Sequence, residues 1–186
     1  MKKILPFILL AGVGFLTYSC DNSNDDPVVV NPGQDNDTFP IMMDATGAFT
    51  SANNYTLTAD INIQATDVVL VYRKEGNMWQ QIPKTYYIDD VTGLPTNREL
   101  DYNFKFNSSE VNVETKANFN QGTQMTSAET AKYLNNQTFR IVLVPADPAK
   151  KTAKASTSTS VDFSDYNAVV KYYNIDESKV QTINAH

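Results

Sequence analysis

Apolar and polar residues alternate with period two along three stretches of the chain. In residues 55–63, Tyr55, Leu57, Ala59, Ile61 and Ile63 alternate with Thr56, Thr58, Asp60 and Asn62. In residues 100–106, Leu100, Tyr102, Phe104 and Phe106 alternate with Asp101, Asn103 and Lys105. In residues 110–119 the apolar series runs Val111, Val113, Ala117 and Phe119, with Thr115 in phase. Successive strand side chains point to opposite faces, so this pattern predicts strands with one core face and one wet face. Residues 68–72 (VVLVY) and 139–144 (FRIVLV) are instead nearly continuous and β-branched. Such runs predict central strands covered on both sides. Shorter strands are expected within residues 41–50 and 78–87.

The punctuation between these runs agrees. Glu75-Gly76-Asn77 and Asn107-Ser108-Ser109 each join two strand patterns as hairpin turns. Thr126-Ser127-Ala128-Glu129 is a capping box that predicts a short helix containing Ala131, Tyr133 and Leu134. In SDYNAVVKYYNID, Tyr166, Val169, Val170 and Tyr173 share one face of a second helix. About seven short strands within about 110 residues imply a mainly β fold, an antiparallel sandwich resembling the immunoglobulin-like class, with one or two short helices. No Cys-Trp-Cys framework is present, so membership of the true immunoglobulin family is not implied.

The first twenty residues, MKKILPFILLAGVGFLTYSC, obey a different logic. Lys2 and Lys3 precede an apolar run over residues 4–15, and small or polar residues then lead to Cys20. This is a secretory signal pattern, too short and too soon followed by polar residues to span a membrane. A lone cysteine in an exported chain cannot form an internal disulfide. Its position just after the apolar run resembles the lipobox of bacterial lipoproteins, where the thiol takes a diacylglycerol and becomes the new N-terminus. In Leu16-Thr17-Tyr18-Ser19-Cys20 the leucine stands four residues before the cysteine, the looser spacing of Bacteroidota lipoproteins. At roughly 0.8 kcal/mol per buried methylene, several acyl chains form a lasting tether.

The expected organisation follows: signal peptide 1–19, lipidated Cys20 with an acidic spacer over residues 20–38, sandwich 39–146, flexible linker 147–160, and C-terminal helical segment 161–186. The spacer carries five Asp and no basic residue. Fully extended it would reach roughly 60 Å. Loss of Lys2 and Lys3 takes the net charge from −6 to −8. That acidity speaks against nucleic acid, whose phosphates want Lys/Arg clusters.

Candidate chemistry is sparse. The single histidine is His186 and the single cysteine is Cys20, so Ser-His-Asp and Cys-His catalysis and a zinc site have no residues to build them. No P-loop or dinucleotide fingerprint occurs outside the signal region, and no cofactor or metal is expected. Asp89, Asp90, Glu99 and Asp101 cluster around one loop and are the candidates for carboxylate chemistry. Trp79 follows a tight turn, with Gln80 beside it and Tyr86 and Tyr87 close behind. These four are the candidate ligand-binding residues, an aromatic and amide platform suited to sugar rings.

Beyond the lipobox, VVLVYRKEGNMWQQIPKTYY, YNFKF, FRIVLVPA and YNAVVKYYNID are similar to small Bacteroidota lipoproteins without an assigned activity. The likeness implies a sandwich and an address: outer membrane, facing the periplasm or the cell surface. The expected function is a non-enzymatic, membrane-anchored binding domain whose partner is a glycan or an envelope protein. A carbohydrate-binding accessory module of a glycan uptake system is the alternative, and a small carboxylate-dependent hydrolase ranks last.

Overall fold

The computed structural model describes residues 40–64, 67–145 and 161–186. The expected signal peptide, Cys20, the acidic spacer and the linker 147–160 lie outside the described residues. Among those described, nine strands and two α-helices occur. The strands are β1 (Ile41–Gly47), β2 (Thr56–Asp60), β3 (Val68–Glu75), β4 (Met78–Gln81), β5 (Lys84–Ile88), β6 (Arg98–Phe106), β7 (Glu110–Ala117), β8 (Gln137–Val144) and β9 (Gln181–Asn184). The helices are α1 (Ser127–Tyr133) and α2 (Tyr166–Tyr173).

The strands form two sheets, one ordered β4-β3-β8-β1-β9 and the other β2-β7-β6-β5. The protein is therefore a mainly β sandwich. Its two added strands have simple causes. The region 78–87, which reads as one strand, is two: β4 pairs with β3 and β5 pairs with β6. Between them Pro83 lacks an N–H, so the ladder stops and the chain passes to the other sheet. The second addition is β9, which runs parallel to β1 at the edge of the five-stranded sheet. Its short Gln-Thr-Ile-Asn sequence buries little, and the C-terminal segment thus contains a strand as well as its expected helix.

Period two sorts the side chains as the sequence predicts. Leu100 and Tyr102 of β6, Val111 and Val113 of β7, and Leu57 and Ala59 of β2 face the space between the sheets. They meet Met43 and Ala45 of β1, Val69 and Val71 of β3, and Phe139, Ile141 and Leu143 of β8. The opposite faces of β1, β3 and β8 are apolar too. Met42, Leu70, Tyr72, Val142 and Val144 pack beneath Tyr166 and Val169 of α2. The continuous hydrophobicity of β3 and β8 has this physical reason: one face meets the second sheet and the other meets a helix.

Local signals set the element ends. Gly76 adopts φ +59°, which suits the two-residue loop joining β3 to β4. Asn107 closes the β6–β7 loop by accepting from the backbone N–H groups of Ser109 and Glu110 at 2.8 and 3.0 Å. The capping box of α1 is formed in both directions, between Thr126 and Glu129. Asp165 caps α2 by accepting from Asn167 and Ala168, and Asn174 ends that helix in the left-handed region.

The last residue links the sheets. The His186 carbonyl accepts from the Thr58 N–H at 2.8 Å, and the His186 N–H donates to the Thr58 carbonyl at 3.1 Å. The β9 margin of one sheet is thereby joined to the β2 margin of the other, and two otherwise open edges are closed.

Candidate functional site

Arg73 is the residue around which a candidate site is built. It continues the inward-facing series Val69, Val71 on β3, yet places a guanidinium where an aliphatic side chain is expected. It is 4% exposed. A buried charge is tolerated only when paired and hydrogen-bonded, and here it is both. Its Nε and Nη2 donate to the Gln137 side-chain oxygen at 3.0 and 2.7 Å. Nη2 also donates to the Lys132 carbonyl at 2.9 Å, and Nη1 donates to Glu75 at 3.0 Å. Three tyrosine rings surround the guanidinium, with Tyr102 at 4.7 Å, Tyr86 at 5.0 Å and Tyr133 at 5.8 Å from its carbon.

Each neighbour is fixed by its own element. Tyr86 on β5 donates its phenol to Glu75. Tyr102 on β6 donates to the Tyr133 carbonyl at the end of α1. Gln137, the first residue of β8, donates its amide to the carbonyls of Lys132 and Asn135 and so holds the α1–β8 turn. The arginine cannot move without breaking contacts to three strands and a helix. It is pre-organised.

Above it lies a cleft of about 500 Å³. Arg73, Lys74, Glu75 and Gly76 of the β3–β4 hairpin form one side of the lining with Tyr86. Lys132, Tyr133, Asn136, Gln137 and Thr138 form the other. The shifts that resolve here all favour the protonated form. Burial and the bond to Glu75 push the Tyr86 phenol up to about 12, against the weaker pull of Arg73. For Arg73, burial works against the charge, but Tyr102, Tyr86 and Glu75 outweigh it and the net direction is upward. Lys132 is raised by the Tyr133 phenol beside it. Around neutrality these three groups offer fixed donors and positive charge rather than a proton to exchange.

The four nominated ligand residues are not brought together. Tyr86 lines the cleft, but Trp79 faces the opposite side of the five-stranded sheet. There Trp79 stacks over the Arg140 guanidinium at 4.2 Å and meets the Tyr166 ring at 5.8 Å. Gln80 donates to the neighbouring Gln81 carbonyl at 3.1 Å. Tyr87 points outward from β5 and is 76% exposed. A one-residue step along a strand reverses the face, which separates Tyr86 from Tyr87. The nominated acids lie elsewhere again. Asp90 accepts from the Asn97 N–H, Asp101 accepts from Thr85 on the outer face of its sheet, and Asp89 and Glu99 are exposed. None of the four lines the cleft.

Sequence reasoning missed Arg73, Lys132 and Gln137. Arg73 did leave a signal, since it extends a core-facing alternation by one charged step. Lys132 and Gln137 left none, because only tertiary packing brings the end of α1 over β3.

Arg140 organises the other face of the sheet. It forks onto Asp44 of β1 at 2.7 and 2.9 Å, donates to the Tyr166 phenol, and reaches Glu177 at 3.1 Å. This network fastens α2 and the following turn to the sheet. Among the described residues no group of three or more His, Cys, Asp or Glu side chains is placed to hold a metal ion. No helix among them is long and apolar enough to cross a membrane.

No protein-family model, curated protein or solved structure matches this chain.

Proposed function

We propose that the protein is a non-enzymatic binding module of the cell envelope. In this reading lipid on Cys20 holds the chain at an outer membrane, the acidic stretch spaces it outward, and the sandwich presents the cleft over Arg73 to a glycan or an envelope protein. The address is supported by the residues themselves: a positive start, an apolar run and a single cysteine directly behind it.

The pre-organised Arg73 carries the binding reading. A guanidinium fixed by Gln137, Glu75 and a backbone carbonyl, and ringed by tyrosines, makes a rigid cleft floor that needs no rearrangement beneath a ligand. Glu75 is the only carboxylate among the residues lining the cleft, whereas glycoside hydrolysis uses two facing acids. Its Oε1 is already engaged by Arg73 and Tyr86.

Two measurements test the reading. Metabolic labelling with a radioactive fatty acid is expected to mark the wild-type chain and not Cys20→Ala. A hydrolase screen of the full chain in detergent is expected to show no turnover. Turnover abolished by Glu75→Gln would replace the binding module with an enzyme, and an unlabelled wild-type chain would remove the lipid tether.

A further inference from the structure

We propose that the cleft over Arg73 takes an acidic saccharide, a sugar chain bearing carboxylate groups. The inference rests on the binding-module reading and names the ligand class of the same site.

Charge is the first argument. The protein is acidic, with a net charge of −6, yet the cleft faces the cationic side chains of Arg73 and Lys132 with the single carboxylate of Glu75. Arg73 is neutralised by Glu75. The charge left uncompensated in the cleft belongs to Lys132, which forms no ion pair among the described residues. Lys132 leans over the Tyr133 ring at 4.8 Å, whereas Lys74 turns over Trp79 at 5.7 Å, on the other face of the sheet. A local reversal of sign within a concave surface concentrates anions there.

The lining itself is the second argument. It includes no aliphatic side chain, and every lining residue except Gly76 carries a group able to form hydrogen bonds. The Asn136 amide and the second oxygen of Glu75 have no hydrogen-bond partner among the described residues. An apolar ligand would strip water from such groups and return nothing. A polyhydroxylated ligand can satisfy them. A volume of about 500 Å³ is within the range of small-ligand sites.

The third argument concerns the aromatics. Tyr86 and Tyr133 turn toward the Arg73 guanidinium, and Tyr86 also packs edge-on against Tyr102. Their rings serve the arginine rather than standing as a bare platform. Selection must then come from charge and hydrogen bonding, which favours an acidic sugar over a neutral one. An acidic peptide would match the charge but would find no apolar wall for the aliphatic parts of its side chains.

The test is titration calorimetry of the full chain in detergent with a galacturonic acid tetramer, a galactose tetramer and a hexaglutamate peptide. The acidic sugar is expected to bind saturably, more weakly as salt is raised, and more tightly than either control. Lys132→Ala is expected to weaken it about fivefold, as loss of an exposed ion pair does, and Lys132→Glu more. Lys132 is exposed, so both variants keep the fold, which a thermal melt verifies. Absence of binding by the acidic tetramer, or equal binding by Lys132→Glu, would overturn the inference. Preferential binding of the neutral sugar or the peptide would also overturn it while leaving a binding module in place. Turnover of the tetramer would instead overturn the reading on which it rests.

Discussion

Arg98 and Glu129 form a bidentate ion pair, with Nη2 to Oε1 at 2.7 Å and Nη1 to Oε2 at 3.0 Å, and the arginine side chain has no exposure to solvent. The pair joins the start of β6 to the third residue of α1. The same carboxylate accepts from the Thr126 N–H in the capping box. Arg98 also donates to the carbonyls of Asp89 and Gln124, so one side chain gathers two loops and a helix start.

Removing one member of a buried pair strands the other. Glu129→Gln keeps the capping geometry, which glutamine also supports, but leaves the Arg98 charge uncompensated. Breaking such a pair costs about 3–5 kcal/mol. Urea denaturation is expected to show a loss of about that size.

The same pair predicts a response to acid. The bonds from Arg98 and Thr126 outweigh burial and hold the Glu129 carboxyl at about 2, below its ordinary value of 4.5. A carboxyl whose pKa is lower when folded stabilises the protein fully above the unfolded value. That contribution is lost as pH falls from about 4.5 through about 2. The denaturation midpoint of wild type is expected to fall over this window more steeply than that of Glu129→Gln.

Trp79 packs over Arg140 and Tyr166, so its loss acts on the α2 layer rather than on the cleft. Trp79→Ala is expected to cost about 3 kcal/mol, the low end for a large aromatic truncation because the residue is only half-buried. Binding of the galacturonic acid tetramer is expected to be unchanged. A variant that keeps its stability and loses sugar binding would relocate the site to Trp79.

Deletion of residues 181–186 removes the β9 partner of β1 and both backbone bonds to Thr58. At about 1 kcal/mol per hydrogen bond, the two Thr58 bonds and the Ala185 bond to Thr46 alone set a loss of at least about 3 kcal/mol, and the β1–β9 ladder adds to it. Hydrogen exchange is expected to show the Thr58 amide exposed first, since its acceptor is the His186 carbonyl.

Gly47 faces Leu57 across the core, and a Cβ there would stand 2.6 Å from a Leu57 methyl carbon. Gly47→Ala is expected to cost about 1–3 kcal/mol through overpacking. Gly47→Ala combined with Leu57→Val is expected to recover part of it, measured by thermal melting.

The sequence by itself determined both helices, the long strands and the buried side of those that alternate. Period two in β2, β6 and β7, the unbroken apolar runs of β3 and β8, and the capping box at Thr126 are local patterns, each set by backbone geometry within a few residues. The stripe Tyr166, Val169, Val170, Tyr173 likewise announced α2 and its packing face. Tertiary structure decided what local patterns do not encode. Strand β9 exists because a neighbouring edge supplies hydrogen bonds to a short sequence with little apolar signal of its own. Trp79 and Tyr86 parted because the chain changes sheets at Pro83, which sends two nearby residues to different layers. The cleft arose because α1 brings Lys132 and Tyr133 over Arg73, 59 and 60 positions earlier in the chain. Periodicity reports which way a side chain points, and only the path of the chain through space reports what it meets there.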